Sequence, residues 1–332
     1  MKKNIIGLVH NVPRATSYAF SAASSDVMVQ VCAIEEALSN LGYPSRRIPF
    51  TRDIDLFLTE FRKEPVDMVF NLCETVDENP MFSGHAAAVF ELLGVPFTGS
   101  SSMGITCTMD KVMTKRVLKA CGIRTPKYLI YEGSSHFNAA YLTFPVIVKP
   151  RFEDASIGID QESVFESEIS LKKGLGSFYE RFGSLLVEEY VNGREFNVSL
   201  FGYPPVNVMP VAEIDFSAFP AGIHHIVGYR AKWDESSLEY RNTVRRFPEN
   251  LSVPLRQSLE KIARECFHIF MLRDYVRVDI RTDSNEIPYV IEINANPCIS
   301  PDAGFVASLA HAGIDYKEMI RQFITFMSLR SR

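Results

Sequence analysis

The chain has 332 residues, of which 46% are hydrophobic, 11% aromatic and 23% charged, and its net charge is −5. That length exceeds one ordinary core and points to two or three domains with ample apolar material to bury. The negative balance leaves no basic footprint for nucleic acid, no run approaches the ~18 apolar residues of a membrane span, and six cysteines without CxxC spacing suggest neither a disulfide framework nor a zinc site, so the expected setting is reducing and cytoplasmic.

The N-terminal MKKNIIGLVHNVPR has an apolar run too short for a signal-peptide core and reads as a first strand over 4–10. A Ser-rich loop then leads to a helix over 26–43, where Val27, Val31, Ile34, Leu38 and Leu41 keep helical spacing and Gly42 suits a C-cap. SRRIPF, a helix through DIDLFLTEFRKE and the strand DMVFNLC (67–73) repeat the strand-helix alternation that predicts a parallel sheet. A helix over 83–94 and a short strand VPFTGS close an N-terminal α/β unit, 1–107.

A second unit, 108–184, starts at Met109-Asp110-Lys111 and offers the helix KVMTKRVLKACG, a Thr125-Pro126 break, the strands YLIY and FPVIVKP, and the polar loop RFEDASIGI. The third, 185–332, opens with LLVEEYVNGREFNV, read as two strands about a turn at Asn192-Gly193. It continues through a polar insertion at 217–250, a helix over 254–270, a hairpin over 275–298 and a terminal helix.

The hairpin carries the sharpest signal. In YVRVDIRTDSNEIPYVIEINANPC, Arg277, Asp279, Glu292 and Asn294 interrupt runs of Tyr, Val and Ile around a turn near Asn285. Folding about that turn sets Asp279 opposite Glu292 and Arg277 opposite Asn294, on one face. Facing carboxylates need a cation or a proton between them, and an all-oxygen Asp/Glu/Asn set suits a hard ion such as Mg2+. A solvated face with Arg277 paired to Asp279 accounts for the same residues equally well.

Other residues are less telling alone. Lys149 ends a strand buried on both faces, where a lysine either snorkels to solvent or is held against phosphate oxygens. The loop 153–158 after it can cap a phosphate with backbone N–H groups. Glu188, Glu189 and Glu195 flank the Asn192-Gly193 turn, Lys232 lies in a polar loop, and Arg245-Arg246 reads as a solvated pair. Gly222, His224, His225 and Gly228 belong to the 217–250 insertion, expected to act as a lid in which the histidines brace rather than bind metal.

Taken in order, VFNLCE, ELLGVPFTGS, MDKVMTKRVLKACGIRTP, FPVIVKP, LVEEYVNGREFNV, GYRAKW, RVDIR and IEINANP resemble the ATP-grasp superfamily, and within it the D-alanine–D-alanine ligase branch, over essentially the whole chain. The resemblance implies an ATP-grasp fold, α/β with an α+β C-terminal part, preceded by a parallel-sheet preATP-grasp domain. It implies ATP with Mg2+ or Mn2+, small-molecule carboxylate and amine substrates, and a homodimer through the first domain. Lys111, Lys149 and Ser156 would then meet the phosphates and Lys232 the terminal phosphate. Glu188, Val191 and Glu195 would hold adenine and ribose, Asp279, Glu292 and Asn294 the metal, and Arg277 the oxyanion formed when an amine attacks an acyl phosphate.

The chain departs from that family in three places. The phosphate loop, roughly Gly-Ser-Ser-Val-Gly in the family, is Asp154-Ala155-Ser156-Ile157-Gly158 here. The run after Asn294 is Ala295-Asn296-Pro297-Cys298-Ile299-Ser300, with Cys298 in place of a glycine and Ala303 in place of the serine that grips the acceptor's carboxylate. Near the first substrate, Glu74 stands for a histidine, Glu78 aligns with an acidic residue across a one-residue gap, and Asp26 is the nearest substitute for a missing Ser-Ala-Glu-Arg-Glu signature. The expected activity is an ATP-dependent carboxylate–amine ligase on substrates other than two D-alanines. The alternatives are an authentic D-alanine–D-alanine ligase with a drifted pocket and an ATP-binding regulator without turnover.

Overall fold

The structure is a computed structural model in which residues 4–13, 20–134 and 136–330 are described; part of the expected Ser-rich loop, 14–19, lies outside them. Strands Ile6–Asn11, Ser45–Phe50 and Met68–Leu72 form a parallel sheet with Ile6–Asn11 in the middle, as the alternation implied. The helix between the first two runs Ser21–Leu41 and ends on Gly42 at φ 75°, a left-handed conformation that glycine adopts freely. It starts five residues before the expected Asp26, because SAASS contains no breaker and Ala23 joins the buried face of Val27 and Val31. VPFTGS supplies only one parallel bridge, Val69 to Phe97, rather than a strand.

A second sheet is antiparallel, in the order Tyr128–Tyr131, Leu185–Glu189, Val146–Pro150, Val164–Phe165. The helix Glu168–Phe182 covers one face through Leu171 and Leu175. That helix and Ser102–Met109 were not expected, since short polar and glycine residues dilute the apolar periodicity in both.

The third sheet runs Val244–Arg246, Ala212–Asp215, Glu195–Gly202, Asp274–Thr282, Pro288–Asn294, with Asn207–Val208 beside Glu195–Gly202. Its apolar face, including Val198, Leu200, Val276, Val278 and Ile280, packs against the helix Val253–Ile269. Alternation therefore turns Glu195, Asn197, Arg277, Asp279 and Arg281 to the opposite face.

The expected hairpin at Asn192-Gly193 is not formed. Leu185–Glu189 pairs in the second sheet and Glu195–Gly202 in the third, so the chain crosses between sheets there. We propose the crossing segment 190–194, rather than 184/185, as the division between the second and third units. The 217–250 insertion also holds more regular structure than a loop: helices Tyr229–Trp233 and Leu238–Asn242 precede the strand Val244–Arg246. Instead of one terminal helix there are two, Gly304–His311 and Tyr316–Arg330. The last packs Met319, Ile320, Phe323 and Met327 into a core shared with Val27, Val31, Phe201 and Tyr275, which ties the first sheet to the third. All six cysteines are free, and no helix among the described residues is long and apolar enough to cross a membrane.

Candidate active site

A cleft of about 580 Å³ opens between the second and third sheets and reaches the end of the first. One wall is the hairpin Asp274–Thr282 and Pro288–Asn294, in which Arg277 pairs with Asn294 and Asp279 with Glu292. The register expected from alternation is the one observed. A bulge after Asp279, where Ile280 pairs with Val290, leaves Ile291 as an extra residue and keeps Glu292 turned into the cleft.

Arg277 grips Asp279 with both arms of its fork, Nε to Oδ1 at 2.8 Å and Nη2 to Oδ2 at 2.9 Å. Asn197, paired across the sheet with Asp279, also donates to Oδ1 at 2.8 Å. Asn294 Oδ1 accepts from the Asn296 N–H at 3.2 Å. Lys111 is buried, with its ammonium on the Glu153 carbonyl, 3.4 Å from Glu292 and 3.6 Å from Asp154. Burial raises the Glu292 carboxyl, but Lys111, Lys232, Lys149 and Arg277 outweigh it and hold the group well below its ordinary range. Asp154 moves the other way, raised by burial and by Glu292 against the pull of Lys111.

An ionised Glu292 facing Asp279, with Asn294 on the same face, fits a hard cation. Among the described residues no three His, Cys, Asp or Glu side chains cluster tightly enough to hold a metal alone. Such an ion would need further oxygens from water or phosphate, which is how Mg2+ is usually bound.

Lys149 reaches Glu188 at 2.7 Å, and Lys115, one turn beyond Lys111, reaches the other oxygen of Glu188 at 2.5 Å. Glu188 is about 1% exposed. Burial raises its carboxyl, yet the two ammoniums win and hold it low. Glu195 is raised by burial, against the pull of Arg281. Arg281 anchors the crossing segment through the Gly193 carbonyl at 3.0 Å and stacks 4.9 Å from the Tyr190 ring. Val191 lines the cleft beside them.

The insertion closes onto the loop at residues 155–159. Ser156 Oγ donates to the Val227 carbonyl at 2.7 Å, Trp233 Nε1 to the Ala155 carbonyl at 3.0 Å, and the Tyr229 N–H to the Ile159 carbonyl at 2.7 Å. Ala155 and Ser156 sit at φ 53° and 61°, conformations costly for non-glycine residues and often kept at functional turns. This brings Lys232 to the cleft, where burial, then Arg277, lowers its ammonium. His224 and His225 brace the segment: the His225 carbonyl accepts from Arg281 at 2.7 Å, His225 stacks on Phe216, and Gln161 bonds the His224 backbone.

At the far end, Asp26, Glu74 and Cys298 come together. Cys298 Sγ donates to Asp26 at 3.0 Å, Ser300 Oγ lies 3.2 Å from the same carboxylate, and Gln30 links Asp26, Glu74 at 2.9 Å and the Ile299 N–H. Burial, then Asp26 and Glu74, raises the Cys298 thiol well above its ordinary value, which disfavours the thiolate. Glu74 is raised to about 7 by burial, with Gln30 opposing and Asp26 adding. Glu78 does not join them: the turn closed by Val76 and Asn79 places it at φ 61° with its oxygens buried away from the cleft lining.

Four residues escaped the sequence reading: Lys115, Asn197, Arg281 and Arg245. Three carried a signal, Lys115 at one helical turn from Lys111, and Asn197 and Arg281 two residues beyond Glu195 and Asp279 on their strands. Arg245 and Arg246 are exposed, as a solvated pair should be, but they sit on a strand rather than a loop: Arg245 lines the rim of the cleft, while Arg246 pairs with Asp215 at 2.5 Å.

Residues 117–325 match the family described as D-ala D-ala ligase C-terminus. An uncharacterized protein of Sinorhizobium fredii is 33% identical over 254 residues, 76% of this chain and 72% of that one. The D-alanine–D-alanine ligase of Carboxydothermus hydrogenoformans is 30% identical over 303 residues, 88% and 90% of the two chains. In fold, the chain is similar to the D-alanine–D-alanine ligase from Bacillus anthracis complexed with ATP, with a TM-score of 0.78, 22% identity and 99% of each chain covered.

Proposed function

The chain belongs to the D-ala D-ala ligase C-terminus family, and from that premise we propose that it joins a carboxylate to an amine at the expense of ATP, through an acyl phosphate, on amino-acid-like substrates other than two D-alanines. The observation that carries the reading is the single face on which Arg277, Asp279, Glu292 and Asn294 meet within reach of Lys111, Lys149 and Lys232. Phosphoryl transfer is catalysed mainly by positioning and charge neutralisation, and this face is built for both.

In this reading Lys149, fixed by Glu188, and Lys111, fixed against Glu292, neutralise the phosphates, while Lys232 arrives with the insertion at the terminal phosphate. Glu188, Val191 and Glu195 line the nucleoside end. Mg2+ held by Asp279, Glu292 and Asn294 would neutralise charge on the transferring group. Arg277 uses Nε and Nη2 on Asp279, and its Nη1 takes no part in that pair. That arm would stabilise the oxyanion when the amine attacks. The insertion, stapled to residues 155–159, excludes water that would hydrolyse the acyl phosphate.

Support for substrates other than two D-alanines comes from the acids at this end, where Asp26 is bound to Cys298 and Ser300 and Glu74 stands where the family has a histidine. A donor carrying a cationic group beyond the α-ammonium that D-alanine also has would suit two acids at that end. A regulator without turnover would have no use for Arg277. The test is phosphate release from MgATP with a panel of amino acids, singly and in pairs. Turnover that needs two different substrates supports the reading; full turnover with D-alanine alone overturns its substrate half.

A further inference from the structure

The serine expected to hold the acceptor's carboxylate is Ala303 here, and a cation from a different element faces the same part of the cleft. Arg245 sits on the strand Val244–Arg246, antiparallel to Ala212–Asp215. Its neighbour Arg246 turns to Asp215, and alternation sends Arg245 to the cleft side, where it lines the wall with Asp302, Ala303 and Gly304. Its guanidinium lies flat against Gly304: a Cβ built there would stand 3.2 Å from Nη2, 3.3 Å from Nε and 3.4 Å from Cζ. The fork is open. Among the described residues no carboxylate comes within salt-bridge distance of it and no side-chain hydrogen bond is made to it, whereas the Arg277 fork is already closed by Asp279. Arg245 is exposed as a residue, at the rim rather than the floor of the cleft; partial covering of its guanidinium, then the nearby Arg277, disfavours its charge, with Asp302 acting the other way. Two guanidiniums facing one cleft repel unless an anion joins them, and an arginine fork takes a carboxylate through two parallel bonds.

Resting on the ligase reading, we propose that Arg245 binds the carboxylate of the acceptor, which makes the acceptor an amino acid or short peptide with a free carboxylate rather than a simple amine. Gly304 matters to this arrangement because a larger residue would displace the guanidinium.

The experiment measures phosphate release at saturating MgATP with the common L- and D-amino acids as acceptors, each as the free acid and as its carboxamide. Wild type should prefer the acid by about 30- to 100-fold in kcat/KM, the worth of one charge-assisted pair. Arg245→Ala should erase that preference and leave the KM for MgATP within about twofold. Arg245→Lys, which keeps charge and bulk, should retain part of the preference and serves as the folding control. Equal use of acid and carboxamide by wild type overturns the proposal while the ligase reading stands. A rise in KM for MgATP with acid preference intact reassigns Arg245 to a phosphate and also overturns it. Absence of phosphate release with every amine overturns the ligase reading, and this inference with it.

Discussion

Replacing Glu188 by Gln removes one negative charge from between two buried ammoniums. Lys115 stands 2.5 Å and Lys149 2.7 Å from its oxygens, and Glu188 is about 1% exposed, so solvent cannot take over. Breaking a buried pair by deleting one partner costs about 3–5 kcal/mol. For 332 residues the unfolding entropy is near 0.7 kcal/mol per degree, so the melting temperature should fall by about 4–7 °C. Lys149 also loses the group that aims it, and a charge-assisted bond of about 1.5–3 kcal/mol translates to a ten- to hundredfold weaker affinity for MgATP. The sign with pH follows from the depressed carboxyl: its stabilisation is present above about 4.5 and lost as pH falls through the lower folded value, so the gap between variant and wild type should hold from pH 6 to 8 and narrow in acid. Calorimetry and nucleotide titration on the single variant and on Lys115→Met/Glu188→Gln decide the matter, since neutralising Lys115 as well should recover part of the loss. A single variant that melts within about 1 °C of wild type and binds MgATP equally would refute the reasoning.

Arg277→Lys keeps the charge but loses the fork, and kcat should fall about 10²–10³-fold in the phosphate-release assay; a loss under fivefold removes Arg277 from the chemistry. Gly228→Ala places a Cβ 2.8 Å from the Ile159 carbonyl oxygen, so the insertion should lift from residues 155–159 at a cost of about 1–3 kcal/mol. Limited proteolysis should then cut 217–250 faster, and unchanged cutting counts against closure. Glu74, raised to about 7, binds its proton more tightly folded than unfolded, so stability should decline as pH rises from 4.5 to 7, on the order of 3 kcal/mol. Glu74→Gln should flatten that stretch of the urea-midpoint profile, and a profile of unaltered slope would show that Glu74 titrates normally.

Some of the site was legible because its elements are local. Arg277, Asp279, Glu292 and Asn294 lie on two strands joined by a short turn, and a period of two residues puts Val276, Val278, Ile280, Val290 and Ile293 on the helix side, with Ile291 left over at the bulge that the period does not foresee. The parallel first sheet and the Gly42 cap followed from the same short-range rules. The error at Asn192-Gly193 shows their limit. Two apolar runs about an Asn-Gly turn look like a hairpin, yet Leu185–Glu189 finds partners at Tyr128–Tyr131 and Val146–Pro150, and the chain crosses to another sheet.

What the sequence determined alone was the alternation of polar and apolar positions, and with it the kind of sheet, the polar face shared by Arg277, Asp279, Glu292 and Asn294, and the family. What only the tertiary structure decided was which groups meet across elements: Glu188 with Lys115 and Lys149, Asp26 with Cys298, Arg245 with Gly304. Side-chain periodicity is set by backbone geometry within a few residues, whereas pairing of buried charges depends on how separate elements pack, and nothing in the spacing of Asp26 and Cys298 along the chain records that they touch.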